Sequence, residues 1–159
     1  MNAIIDNPKR IVTIGRSADY VRDRLKVIDK WAGSHAGIII SQPNLHTTNS
    51  YTFTCDGFGA RPGGQCRVMV TPVDEGSCTV MVEIGRPSGR VDDRAEARLR
   101  SEQIDAFLKI LYFLINNDNI TDSPTDEQLQ DMCRATSGNG ATAALVALGV
   151  IGLLIIVLI

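Results

Sequence analysis

Residues Ile11–Leu25 read IVTIGRSADYVRDRL, and this stretch sets the start of the fold. It predicts a strand over Arg10–Gly15, and Ser17 is a typical N-cap for the helix that follows. Apolar residues then recur at helical spacing up to about Trp31. The apolar positions of this predicted helix are Ala18, Val21, Leu25, Ile28 and Ala32. A helix with one apolar face beside a strand is expected to cover a sheet.

Alternating apolar residues predict several strands after this helix. Gly37–Ser41 is a short apolar run, and alternating runs follow at Tyr51–Cys55, Gln65–Pro72 and Ser77–Ile84. Alternation places every second side chain of a strand on the same face, so each of the three alternating runs has one apolar face. The turn sequence Asp74–Gly76 predicts a hairpin that makes the last two runs antiparallel neighbours.

A long helix is predicted over Asp92–Asn116, after the strands. Its core stripe comprises Ile104, Phe107, Leu108, Leu111 and Ile115. A capping box at Thr125–Gln128 opens a further short helix that runs through about Ala135. This order of elements predicts an α+β fold, in which an antiparallel sheet of about four to five strands is covered by two helices.

The stretch Ile11–Leu25, together with the closing long helix, resembles the START-like helix-grip superfamily. In that superfamily a curved sheet wraps around a C-terminal helix and often encloses an apolar ligand. The resemblance is architectural, so it implies a groove between the sheet and the long helix and assigns no role to a particular residue.

The segment 141–159 reads ATAALVALGVIGLLIIVLI and contains no charge and no proline. At about 1.5 Å per residue a helix of this length spans about 28 Å, close to the hydrocarbon thickness of a bilayer. We therefore predict a C-terminal transmembrane helix that anchors a soluble domain (1–116) through a linker with a short amphipathic helix (117–140). The N-terminus lacks the apolar run of a secretory signal, so we expect a tail-anchored, single-pass protein with a cytoplasmic N-terminal domain. A cleaved lipid-anchor signal and a buried core helix are the alternatives.

Three of the four cysteines fall on the predicted core faces of strands, and their spacing matches no paired metal-ligand motif. We predict that Cys55, Cys66 and Cys78 are buried small hydrophobic residues, and we expect no metal and no cofactor. A disulfide between Cys55 and Cys66 is the alternative in an oxidising compartment. Palmitoylation is an alternative role for Cys133, which precedes the predicted membrane segment.

Charge and histidine content point away from some functions. The net charge of −2 gives no argument for a nucleic-acid partner. His35 and His46 lie outside any triad or metal spacing, so we predict no catalytic residue; an enzyme would need one of them to converge with a carboxylate. Two arginines are candidate contacts to a ligand or anion: Arg61 in a glycine-rich loop, and Arg100 on the sheet side of the long helix.

A second apolar stripe lies on the opposite side of the long helix. It consists of Ala95, Leu99, Ala106, Ile110 and Phe113. Other parts of the chain, a second copy or partner protein, and the membrane interface are the three candidate coverings. We take Leu99, Ile110 and Phe113 as the candidate interaction surface.

These features favour a non-enzymatic module that binds a membrane protein or a second copy of itself at the membrane surface, with segment 141–159 in the lipid bilayer. The alternative is a membrane-tethered binder of a lipid or small apolar ligand in the helix–sheet groove, with Arg100 near its mouth. The two functions differ in what covers the long helix and in whether the groove is hollow.

Overall fold

The computed structural model describes residues 4–32, 44–47, 50–55 and 63–137. The strands are β1 (Ile5–Asp6), β2 (Lys9–Ile14), β3 (Asn44–Thr47), β4 (Ser50–Cys55), β5 (Gly64–Asp74), β6 (Ser77–Gly85) and β7 (Arg90–Val91). The helices are α1 (Ala18–Leu25), α2 (Ile28–Ala32), α3 (Arg94–Asn116) and α4 (Asp126–Ser137).

An antiparallel sheet forms the first layer, with the strand order β2-β6-β5-β4-β3, and β1 pairs separately with β7. Buried and accessible side chains alternate along β4, β5 and β6, as the sequence pattern predicts. The buried set on this inner face includes Tyr51, Phe53, Cys55, Cys66, Val68, Val70, Cys78, Val80, Val82 and Ile84. The helices α1 and α3 pack against this face and α2 packs on α3, so the predicted α+β class with an antiparallel sheet is confirmed.

The first helix differs from its prediction, because two helices replace a single helix to Trp31. The chain turns at Lys26 and Val27, where the Val27 N–H donates to the Arg24 carbonyl at 3.3 Å in a tight turn. This turn redirects α2 toward the end of α3, where the Trp31 ring lies 6.0 Å from the Phe113 ring. The sequence pattern could not show this break, because both helices keep the same apolar spacing.

The long helix α3 crosses the inner face of the sheet and is fixed at both ends. Asp93 caps its N-terminus by accepting a hydrogen bond from the Glu96 N–H at 2.8 Å. Near its C-terminus the Tyr20 hydroxyl donates to the Ile115 carbonyl at 3.1 Å, which satisfies a carbonyl of the last turn. Side chains thus satisfy backbone groups at both ends of α3: Asp93 precedes the helix directly, and Tyr20 comes from α1.

The predicted capping box of α4 is also present. The Thr125 N–H donates to Gln128 Oε1 at 2.9 Å, and the Gln128 N–H donates back to Thr125 Oγ1 at 3.3 Å. From this start α4 packs on α3 and buries Met132 completely.

Two predicted segments fall where the structure gives no description: the strand Gly37–Ser41 and the transmembrane segment 141–159. Among the helices of residues 4–32 and 63–137, none combines the length and apolar character needed to cross a bilayer.

Candidate functional site

Arg100 is completely buried on the sheet side of α3. Its guanidinium lies against Gly64, the first residue of β5: a Cβ added to that glycine would be 2.9 Å from Arg100 Nη1. A side chain at this position would force the guanidinium to shift, so glycine leaves the room that the guanidinium occupies. Because Gly64 pairs with Cys55 across the β4–β5 ladder, the buried charge sits at one end of the inner face.

Two buried side chains of the same helix bind this guanidinium. Arg100 Nη1 donates to Gln103 Oε1 at 3.0 Å, and Arg100 Nη2 lies 3.5 Å from Glu96 Oε1. Glu96 and Gln103 are 2% and 4% exposed. Glu96, Arg100 and Gln103 together are called the polar cluster below; they form a charged patch beside an apolar core.

The Glu96 carboxylate is held mainly from its other side. Arg86 donates to both carboxylate oxygens, at 3.2 and 3.0 Å, and the Asp92 N–H donates to Oε2 at 3.3 Å. Burial by itself raises the pKa of Glu96, but these hydrogen bonds and the charges of Arg86 and Arg100 outweigh it and hold the pKa below its ordinary value. Glu96 is therefore ionised at neutral pH.

Arg86 is in turn positioned by Asn7. The Arg86 N–H donates to Asn7 Oδ1 at 3.1 Å, and Asn7 Nδ2 donates to the Arg86 carbonyl at 2.8 Å. The carboxamide of Asn7 occupies the place where residue 85 would carry a side chain, since a Cβ on Gly85 would lie 2.0 Å from Asn7 Oδ1. The segment before β2 and the end of β6 are thereby locked together beside the polar cluster.

Two thiols lie close to this end of the sheet. Cys55, Cys66 and Cys78 are fully buried, as predicted, and none of them forms a disulfide. In the ladder Cys55 faces Gly64 while Cys66 faces Phe53, so the two cysteines are diagonal neighbours and are not directly opposite. Burial raises the pKa of the Cys66 thiol, and contact with Cys55 raises it further. The Cys66 thiol is therefore neutral at pH 7. No disulfide joins Cys55 and Cys66 in this structure.

The middle of the helix–sheet groove is filled by aromatic side chains. The Phe107 ring of α3 lies 5.9 Å from the Phe53 ring of β4, and both side chains are fully buried. Apolar core side chains also fill the rest of the described contact between α3 and the sheet. The described middle of the contact between α3 and the sheet is therefore a packed core.

The candidate interaction residues have different surroundings. Ile110 is fully buried, and the Phe113 ring lies 6.0 Å from the Trp31 ring of α2, so other parts of the chain cover the C-terminal half of the second stripe. Leu99 and Phe113 are half-buried. Ile110 is therefore not accessible to a partner in this structure, and the role of this surface in binding stays a prediction.

The other candidate residues cannot be placed. Arg61 and His35 lie outside the described residues, and the side chain of His46 is not described. Within the described ranges, no three His, Cys, Asp or Glu side chains are grouped as metal ligands.

Sequence reasoning found Arg100 but missed its partners. Glu96 and Gln103 lie four residues before and three residues after it, which is the spacing of side chains that meet on one helix face. That signal was available in the sequence. The hydrogen bond between Asn7 and Arg86 had no local signal, because the two residues are 79 positions apart in the sequence.

Several solved structures have a fold similar to this one. Crystalline CalU16 from Micromonospora echinospora is 11% identical to this chain, with a TM-score of 0.50 over 92% of this chain and 97% of that one. A START superfamily protein from Mycobacterium smegmatis is also 11% identical, with a TM-score of 0.45 over 69% and 97% of the two chains. The fold of this chain is thus similar to that of CalU16. The fold-level resemblance to the helix-grip superfamily that the sequence predicts is borne out, and it concerns the fold alone.

A further match is the di-domain ARO/CYC StfQ from the steffimycin biosynthetic pathway, which is 14% identical with a TM-score of 0.38 over 72% of this chain and 50% of that one. At such identities these likenesses concern the fold alone. No family model and no curated protein matches the sequence. The predicted absence of enzymatic activity therefore stays a prediction.

Proposed function

We propose that this chain is a membrane-tethered START-like domain that binds a small, mainly apolar ligand carrying one anionic group. The ligand would lie between α3 and the sheet, at the end of the groove marked by the polar cluster. The observation that carries the proposal is the complete burial of Arg100 beside an apolar inner face.

The energetic cost of burying the Arg100 charge supports a functional reason for its presence. Replacing a buried ion pair by apolar side chains of similar volume is often neutral or stabilising by about 1–4 kcal/mol. A charge at this position is therefore poorly explained by stability alone. A guanidinium in a dry site instead gives a strong, charge-assisted hydrogen bond to a carboxylate or phosphate.

The Glu96 carboxylate does not depend on Arg100 alone. It accepts hydrogen bonds from two nitrogens of Arg86 and from the Asp92 N–H, whereas its contact with Arg100 is the longest of its hydrogen bonds, at 3.5 Å. An anion bound to Arg100 would therefore leave the Glu96 carboxylate paired with Arg86.

The ligand proposal predicts a selective loss of binding to anionic amphiphiles. With the full chain in amphipol, Arg100→Met is expected to weaken decanoate binding by about 10-fold or more, because a hydrogen bond to a charged group is lost. Binding of 1-decanol, which has no charge, is expected to change by less than about threefold. Isothermal titration calorimetry measures both affinities.

Arg98→Met is the matched control, because Arg98 lies on the same helix with 84% of its side chain exposed. It should leave both affinities unchanged. Arg100→Lys, which retains the charge, should bind decanoate with intermediate affinity if the loss in Arg100→Met is electrostatic. Equal decanoate binding by the wild type and both Arg100 variants would contradict the proposal.

We also propose that segment 141–159 inserts into a bilayer and tethers the domain. The full chain is then expected to float with liposomes and to resist alkaline extraction. Val146→Arg combined with Leu154→Arg should leave the protein at the bottom of the gradient, because each buried charge costs about 2.5–3.5 kcal/mol on the insertion scale. Equal flotation of the wild type and this variant would count against the tether.

A further inference from the structure

The short helix α4 has two faces with different surroundings. One face carries Met132 and Thr136, which are buried in the domain. Another face carries a shallow, open groove of about 480 Å³, lined by Asp126, Leu129, Gln130, Cys133 and Arg134. These residues recur at i, i+3, i+4, i+7 and i+8, which is the pattern of one continuous stripe of a helix.

The groove is apolar in its floor and oppositely charged at its ends. Leu129 and Cys133 are half-buried apolar side chains of the groove. Asp126 and Arg134 stand eight residues apart, or about 12 Å along the helix axis. Gln130 lies midway between the two charges.

This arrangement is self-complementary only when two copies run antiparallel. Turning a second α4 about a two-fold axis at Gln130 places its Arg134 against Asp126 of the first copy, and the reverse pair forms at the other end. Arg134 contacts Asp131 of its own helix at 3.2 Å, but 72% of its side chain is exposed, so it can reach a neighbour. A parallel pair would instead set like charges against each other.

The small area of the α4 surface means that pairing of two copies would depend on the membrane. A pair of helices of this length buries less than the roughly 1,000 Å² that a stable interface in solution needs. Confinement to a bilayer raises the effective concentration of a weak partner without any new contact. This step rests on the tether proposed above.

We propose that α4 is a homodimer surface, in which two copies held in the same membrane pair through antiparallel grooves centred on Gln130. The partner is a second copy of this chain. The ligand site is separate from this surface, because α3 lies between the sheet and α4.

Disulfide cross-linking tests the arrangement on the full chain in liposomes. In a Cys133→Ser background, Gln130→Cys is expected to form a covalent dimer at least about fivefold faster than Ala135→Cys under copper-phenanthroline and air oxidation. Ala135 is exposed on the opposite side of α4 and is the matched control position. The other cysteines, Cys55, Cys66 and Cys78, are fully buried and should remain reduced.

Charge reversal supplies the second readout. Arg134→Asp should slow cross-linking through Gln130→Cys by about fivefold, and adding Asp126→Arg should restore most of the rate, because the two ends then attract again. Equal rates at the Gln130 and Ala135 positions, no rescue, or faster cross-linking through the native Cys133 would each overturn the antiparallel pair. Flotation of the same samples separates this failure from a failure of the tether.

Discussion

Phe107→Ala is expected to lower the free energy of unfolding by about 3–5 kcal/mol. Phe107 is fully buried at the centre of the contact between α3 and the sheet, and its ring packs against Phe53 at 5.9 Å. Removing the ring loses its transfer free energy and leaves a cavity that a rigid sheet cannot fill. Against a typical total of about 5–15 kcal/mol, this is a large fraction of the stability of the domain.

Urea unfolding of the full chain in mild detergent measures this loss. The single tryptophan, Trp31, is buried beside Phe113 and reports unfolding through its fluorescence. Lys109→Ala is the control, because Lys109 is exposed on the same helix and should change the stability by less than about 0.5 kcal/mol. A loss below about 1 kcal/mol for Phe107→Ala would mean that the centre of the groove is loosely packed or hollow.

Glu96→Gln should cost about 3–5 kcal/mol, because it removes one charge of a buried pair and keeps the other. The substitution is nearly isosteric, so it creates no cavity. It leaves the guanidinium groups of Arg86 and Arg100 facing an amide that cannot balance their charge. Glu102→Gln, at an exposed pair with Arg98, should cost less than about 1 kcal/mol.

The same residue predicts a pH dependence with a definite sign. The folded-state pKa of Glu96 lies below its ordinary value, so the stabilisation is present above about pH 5 and is lost as the pH falls through the folded-state pKa. Unfolding curves measured between pH 7 and acid conditions should therefore show a smaller acid-dependent loss for Glu96→Gln than for the wild type. Parallel pH profiles of the two proteins would show that Glu96 is not linked to folding.

Local patterns in the sequence predicted most of the described architecture. Alternation placed Cys55, Cys66 and Cys78 on the inner face, and the capping box at Thr125–Gln128 marked the start of α4. These features depend on neighbours a few residues away, so a single sequence carries them. The turn at Lys26–Val27 escaped prediction because its cause is tertiary: α2 turns toward Phe113 of α3.

The candidate site was predictable only in part. Arg100 stood out as a charge on an apolar helix face, but its role depends on contacts that join distant segments. Gly64 leaves room for the guanidinium, and Asn7 fixes Arg86, which holds Glu96. Neither glycine nor asparagine signals such a contact in the sequence. The burial of Ile110 by other parts of the chain was one of three alternatives, and only packing could decide among them.

A structure of the full chain with bound decanoate would test the central claim most directly. We predict that the carboxylate lies within hydrogen-bonding distance of the Arg100 guanidinium, with the alkyl chain between α3 and the β4–β5 end of the sheet. A ligand found in the α4 groove or on the outer face of the sheet would contradict the account. A structure solved with saturating ligand, in which side chains of the protein itself fill the space beside Arg100, would also contradict the account.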